Sequence, residues 1–403
     1  MAERPELLCP AGDGERLRMA LLYGADAVYL AGQAFGMRAA AGNFSDKELA
    51  AAIEAAHARG VRVYVTCNTL PRENELERLP GYLGLLQELG ADALIVADLG
   101  VMSLARKHAP KLKMHVSTQF GVVSSASAKA LYELGADTVV LARELSLEEI
   151  RLIRRNTPPE LRLEAFVHGA MCVSFSGRCV LSNYMTGRDA NRGECAQPCR
   201  WKYHLVEEKR PGEFFEIGED GGTYILNSRD LCMIEHLPEL LDAGITSFKI
   251  EGRMKSAYYT AAVTNAYRHA LDAAIEGRAL KKLWRDEVEM LSHRPYSTGF
   301  YYGQPGQYTD DARYESDADV VAVVESCDEK GSALLTQRNK FSRGDTVELL
   351  LPGAEPLSFT AEALYDENGE AIDDTRRAMM PFRLRLPLCA PRGTVLRKRR
   401  KRA

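Results

Sequence analysis

Up to about residue 295, short apolar runs that end in glycine or a polar cluster alternate with longer segments whose apolar positions recur every three or four residues. The short runs read as buried strands and the longer segments as amphipathic helices. Three stretches resemble one another: YGADAVYLAG at 23–32, LGADALIVADLG at 89–100 and LGADTVVLAREL at 134–145. AGITSFKIEGRM at 243–254 has the same form. In each, a glycine that closes a helix leads directly into a strand.

Eight such strands can be counted: ELLCPAG, AVYLAG, RVYVTCN, ALIVADLG, KMHVSTQ, TVVLAREL, LEAFVHG and SFKIEGRM. Helical patterns separate nearly all of them, which predicts an α/β fold, a (β/α)8 TIM-like barrel. An open doubly wound sheet is the alternative, but no G-x-G-x-x-G follows the first strand. About fifty residues intervene between the seventh strand and its helix. Long insertions of this kind sit on the face of a barrel where active sites are built. From about Ala318, short alternating runs bounded by turn residues predict a small all-β barrel. The expected division is therefore a barrel over 1–295 with a cysteine-rich insertion at about 170–232, a linker over 296–317, and a β-domain over 318–403 that ends in a basic tail.

Residues two apart on a strand share a face. That rule turns His115, Ser117 and Gln119 toward the barrel axis, with Thr66 and Asn68 of the third strand. It also turns Glu164, Phe166 and His168 of the seventh strand inward, and Lys249, Glu251 and Arg253 of the eighth, while Cys67 points outward into packing. A barrel filled only for packing would carry Val, Ile and Leu here, so the polar set marks a candidate site. Glu164 and His168 are candidates for proton transfer, by residue type and by their place beside the insertion. His115, Ser117, Gln119 and Asn68 can supply hydrogen bonds to a polar ring, and Glu251 adds a carboxylate. Arg253 and Lys255, at the start of a helix, suit a carboxylate or phosphate, or Arg253 pairs structurally with Glu251 or Glu164.

Composition changes this picture at two points. The net charge of −4 excludes a uniformly basic nucleic-acid coat, yet the tail RKRRKR, Arg397 to Arg402, concentrates positive charge. It reads either as a solvated, frayed terminus or as a phosphate contact. Neither a secretion signal nor an apolar run of membrane-spanning length is visible, so no membrane association and a cytoplasmic location are expected. The nine cysteines then belong to metal or redox chemistry rather than to disulfides. Cys9, Cys67, Cys327 and Cys389 are dispersed and read as packing residues. The others are clustered as Cys172-x6-Cys179-x15-Cys195-x3-Cys199, followed by Cys232. Thiolates are soft ligands, so either an iron–sulfur cluster or a structural zinc fits. The wide spacing, without a C-x2-C knuckle, favours iron–sulfur, and five cysteines compete for four positions, with Cys199 as an alternate or a packing residue.

The segment EAFVHGAMCVSFSGRCVLS, Glu164 to Ser182, meets every specified position of the pattern E-x-F-x-x-G-[SA]-[LIVM]-C-x4-G-x-C-x-[LIVM]-S. With ELLCPAG, MHVSTQ, NRGECAQPCR, SRDLC, FKIEGRMKS and YSTGFYYG, nearly the whole chain resembles the peptidase U32 family. The resemblance is strongest to the branch that hydroxylates the tRNA wobble uridine without oxygen, to 5-hydroxyuridine, with prephenate as a required metabolite. Other members act on ribosomal RNA cytidine or on ubiquinone precursors. The resemblance implies a [4Fe-4S] cluster held by Cys172, Cys179, Cys195 and Cys232, with Cys199 matching a ligand of a more divergent branch. It implies tRNA, through its anticodon loop, and a small-molecule carboxylate as partners, and it leaves room for a partner subunit or electron donor. The β-domain and basic tail would then grip the tRNA backbone. The family name implies a second activity, collagenase-like peptidase, although the chain carries no G-x-S-x-G or H-E-x-x-H. A third reading is a non-catalytic iron–sulfur factor that binds RNA or a protein partner.

Overall fold

The computed structural model describes residues 4–37, 42–172, 174–201, 228–306 and 316–400, with the backbone of Leu205–Val206 and Phe214–Phe215. Eight parallel strands form the barrel: β1 (Glu6–Pro10), β2 (Ala27–Leu30), β3 (Arg62–Cys67), β4 (Ala93–Val96), β5 (Lys113–Val116), β6 (Thr138–Val140), β7 (Arg162–Ala170) and β8 (Ser247–Ile250). They pair in sequence order, and β8 closes the barrel by pairing with both β7 and β1. The predicted TIM-like barrel is the observed fold.

Helix starts follow from side-chain caps. Ser45 and Ser146 each accept from the backbone N–H three residues on, while Glu48 and Glu149 reach back to close the capping box. The apolar faces of these helices pack on the outward faces of the strands, where Cys9 and Cys67 are fully buried. Burial pushes both thiols up to about 12, so neither supplies a thiolate. Cys389 departs from the packing expectation: it is exposed, in the turn that follows a strand of the β-domain, where no core covers it.

The floor of the barrel is polar, and its buried carboxylates are paired. Glu6 accepts from Tyr64 at 2.6 Å and Ser247 at 3.0 Å and is paired with Arg62 at 2.5 Å. One layer up, Lys249 donates to Glu164 at 2.6 Å, and Ser247 donates to Glu164 at 3.1 Å. Charges buried in this way persist because each is paired and hydrogen-bonded.

After the barrel, β9 (Ala318–Cys327), β10 (Ser332–Gln337), β11 (Thr346–Leu350), β12 (Leu357–Thr360), β13 (Leu364–Tyr365), β14 (Ala371–Ile372), β15 (Pro381–Arg385) and β16 (Val395–Arg399) form one antiparallel sheet with its own core. This is the predicted all-β unit, curved as a half-barrel. Its last strand shows that the basic tail is not frayed over Arg397–Arg399, which belong to the sheet. Arg397 is fully buried against Glu287 and Glu348, Lys398 pairs with Asp345, Arg399 with Glu348 and Arg400 with Asp319. Residues 401–403 lie outside the described residues.

Candidate functional site

At the carboxyl ends of the strands lies a cavity of about 490 Å3. Thr66 and Asn68 line it from the third strand and its loop, Ser117 and Gln119 from beyond the fifth, Phe166 from the seventh, and Lys249, Glu251, Arg253 and Lys255 from the eighth and the loop after it. Asn68 donates to the Gln119 side-chain carbonyl at 2.9 Å, and Ser117 donates to the same oxygen at 3.2 Å. The three residues therefore form one fixed polar edge. Arg253 donates to Thr66 at 3.3 Å and to the Met37 carbonyl. Lys255 donates to the Ser292 carbonyl at 3.3 Å, and burial lowers its pKa. Among the described residues, six basic side chains line the cavity, Arg143, Arg188, Arg200, Lys249, Arg253 and Lys255, against the one carboxylate of Glu251. That imbalance suits an anionic occupant.

Two candidates from the seventh strand stand off this wall. Glu164 is fully buried, and its carboxylate touches Lys249 rather than the cavity. His168 departs from the alternation rule for a local reason. The β7–β8 register runs Lys249↔Phe166 and then Ile250↔His168, so a bulge at Val167 rotates the imidazole out of the barrel. Its Nδ1 lies 3.2 Å from the Tyr267 hydroxyl on the helix Ala257–Ile275, and its Nε2 lies 3.4 Å from the hydroxyl of Tyr296. The next residue, Gly169, has φ +110, and a Cβ there would stand 2.5 Å from the Glu251 carbonyl. His115 is inside the barrel but below the cavity, its ring edge-on to Tyr64.

Burial pushes the His168 imidazole down to about 3 and drives that of His115 well below its usual value. An unfolded chain binds these protons near pH 6.5 and the folded chain does not, so stability rises with pH, for His168 through the window from about 3 to 6.5, and His115 acts in the same direction. Below pH 6.5 each histidine is expected to remove about 1.4 kcal/mol per pH unit. Urea unfolding at pH 7.5 and 5.5 checks this, and the loss of stability is expected to shrink in His168→Gln. An undiminished loss would contradict a buried neutral His168.

The insertion brings thiols to this mouth. Cys172, Cys179, Cys195 and Cys199 all line the cavity. Burial raises the Cys199 thiol, opposed by Arg200 and reinforced by Cys172 and Cys195. Cys232 is placed differently, on the short strand Asp230–Cys232 that pairs antiparallel with β7. Its sulfur lies 3.8 Å from the Tyr267 hydroxyl, and burial raises its thiol to about 11. Among the described residues no three Cys, His, Asp or Glu side chains already stand in a metal-ligating arrangement. The donor chemistry fits a thiophilic centre all the same: four soft ligands face one space.

Three polar ties hold the insertion over the barrel. Ser176, midway between Cys172 and Cys179, has φ 43 and is fixed by Glu144, which accepts from its N–H at 2.6 Å and its hydroxyl at 2.9 Å. Arg178 donates to the Gln119 carbonyl at 2.5 Å, and Arg192 makes a two-pronged pair with Glu75 at 3.0 and 2.7 Å. Glu144→Ala removes both bonds that stabilise a left-handed serine. Opening of the 174–178 loop is expected to become easier by about 1–3 kcal/mol. Hydrogen exchange over these residues measures it, and unchanged protection would remove Glu144 from this role.

Sequence reasoning did not single out Arg143, which donates to the Ala170 carbonyl at 2.9 Å, lies 3.8 Å over the Phe166 ring and reaches Glu251 at 3.8 Å. Its signal was the Arg-Glu pair that ends one of the repeated units, LGADTVVLAREL. Arg143 and Glu144 from that pair serve the cavity and the insertion respectively. The hairpin-like FFEIGEDGGTYILNSRDL falls largely outside the described residues, although Phe214–Phe215 pairs with Leu205–Val206.

The model for Peptidase family U32 matches residues 12–311, and that for the Peptidase family U32 C-terminal domain matches residues 316–397. The tRNA hydroxylation protein P1 of Bacillus subtilis is 37% identical over 99% of this chain and 96% of its own length. The tRNA hydroxylation protein P of Escherichia coli is 37% identical over 92% of this chain and 91% of its own. A collagenase of Porphyromonas gingivalis is 33% identical over 78% of this chain and 77% of its own.

Proposed function

From the premise that this chain belongs to peptidase family U32, we propose that it is an RNA-modifying enzyme, hydroxylating the wobble uridine of tRNA to 5-hydroxyuridine. The observation that carries the reading is one cavity lined at once by thiols, by the Asn68–Ser117–Gln119 edge and by six cations. A uracil ring offers carbonyl and N–H groups that such an edge can meet, and an anticodon loop presents that base unpaired. The two relatives named for tRNA hydroxylation, which match over both domains, support the choice of RNA.

Cys172, Cys179 and Cys195 would hold a [4Fe-4S] cluster, with Cys199 or Cys232 as the fourth ligand. When bound, the cluster would pass on the electrons that leave the base or polarise the oxygen donor. Iron content of Cys199→Ser beside Cys232→Ser assigns the fourth position, since the ligand loses iron on substitution and the other residue does not. Prephenate, a dicarboxylate, is the proposed co-substrate, and Arg253 with Arg143 or Lys255 would bind its carboxylates. Lys249 is a buried cation of the cavity wall, and Glu164, paired with it, acts as a positioning residue through it.

The relative named as a collagenase motivates a second reading, peptide hydrolysis. The cavity disfavours it: Ser117 and Thr118 bring hydroxyls to the wall, but no histidine is among the described residues that line it. Nucleoside analysis of tRNA from a strain lacking this chain is expected to show the loss of 5-hydroxyuridine and its derivatives. An unchanged nucleoside profile, together with cleavage of collagen peptides by the purified protein, would reverse the assignment.

A further inference from the structure

The cations of the C-terminal strand already have carboxylate partners, and a different kind of surface stands on the insertion. Large exposed apolar side chains concentrate on the cysteine-bearing insertion: Phe175 is 51% exposed, Val180 75%, Tyr184 89% and Trp201 41%. Several such side chains on one short segment mark an interaction surface.

Their placement says what it would contact. Phe175 stands over the backbone beyond the fifth strand, where a Cβ on Gly121 would come within 3.1 Å of its ring. Tyr184 lies on the helix Leu181–Thr186, which packs against the helical turn Pro198–Arg200 that leads into Trp201. Two arginines of the same segment, Arg188 and Arg200, line the cavity itself. Aromatic faces interleaved with guanidinium groups are the chemistry that holds unpaired bases and the phosphates between them. Through Arg188 and Arg200 the segment adjoins a cavity whose described lining carries more basic than acidic side chains, which gives it charge complementarity to a nucleic-acid backbone.

We infer that Tyr184 and Trp201, with the neighbouring arginines, form a stacking platform for the unpaired bases of an RNA loop, flanking the base that enters the cavity. The inference rests on the RNA-modification reading and deepens it, placing an RNA contact on the insertion.

The test is fluorescence anisotropy of the anaerobically purified full chain with a labelled anticodon stem–loop RNA and with a fully paired hairpin of the same length. The protein is expected to prefer the stem–loop. Tyr184→Ala and Trp201→Ala are each expected to weaken stem–loop binding about fivefold or more. Tyr184→Phe, which keeps the ring, and Lys398→Ala, on the neutralised strand, are expected to bind as the unaltered chain does. Iron content and circular dichroism of the alanine variants report whether the insertion is intact. Stem–loop binding by both alanine variants equal to that of the unaltered chain overturns the platform and leaves the RNA reading standing. Absence of stem–loop binding by the unaltered chain overturns both.

Discussion

Arg397→Ala is expected to lower the stability of the chain by about 3–5 kcal/mol. The guanidinium is fully buried, and it donates to Glu287 at 2.7 and 2.6 Å, to Glu348 at 2.8 Å and to the Tyr258 hydroxyl at 3.1 Å. Glu287 and Tyr258 belong to helices that follow the eighth strand, while Arg397 and Glu348 belong to the β-sheet domain. The ion pair therefore joins the two domains, beside the Tyr23 hydroxyl, which donates to the Leu350 carbonyl at 2.8 Å. Removing the cation strands Glu287, which is 1% exposed, as a buried charge without its partner. Replacing both partners, as in Arg397→Met with Glu287→Leu, is expected to recover most of the loss, because no buried charge then remains. Denaturant unfolding measures each step. A loss under about 1 kcal/mol for Arg397→Ala would mean that the pair is solvated and that the last strand is available for another ligand.

Cys172→Ala is expected to reduce 5-hydroxyuridine in tRNA to the level of a strain lacking the chain, while the barrel stays folded. The residue is exposed at the end of β7 and supports no apolar packing, so its loss is not expected to disturb the core. The effect falls on the metal centre, because a cluster with four thiolate positions does not tolerate the loss of one without a substitute. Retained hydroxylation in this variant would remove Cys172 from the ligand set.

The barrel was legible because its strands and helices repeat one pattern, and glycines such as Gly24, Gly90, Gly135 and Gly244 punctuate each repeat with positive φ. Alternation along the strands also placed Thr66, Lys249 and Phe166 on the cavity side. It lapsed at Val167, where one extra residue in the β7–β8 register turned His168 to the helices, and no residue type in LEAFVHG announces that bulge. Beyond a strand's end, alternation says nothing, and Arg143 escaped for that reason. The charge run at the C-terminus suggested phosphate because a linear sequence does not show which carboxylates will stand opposite. Glu287, Glu348, Asp345 and Asp319 are far from it in sequence and adjacent in the fold. Cysteine spacing likewise pointed to a soft centre without separating Cys199, on the cavity wall, from Cys232, against Tyr267.

Whether the thiol-lined cavity holds an iron–sulfur centre is tested most directly by elemental analysis of the anaerobically purified chain. About four irons and four acid-labile sulfides per chain are expected, as four thiolate positions require. Stoichiometric zinc without sulfide, or no metal at all, would contradict it.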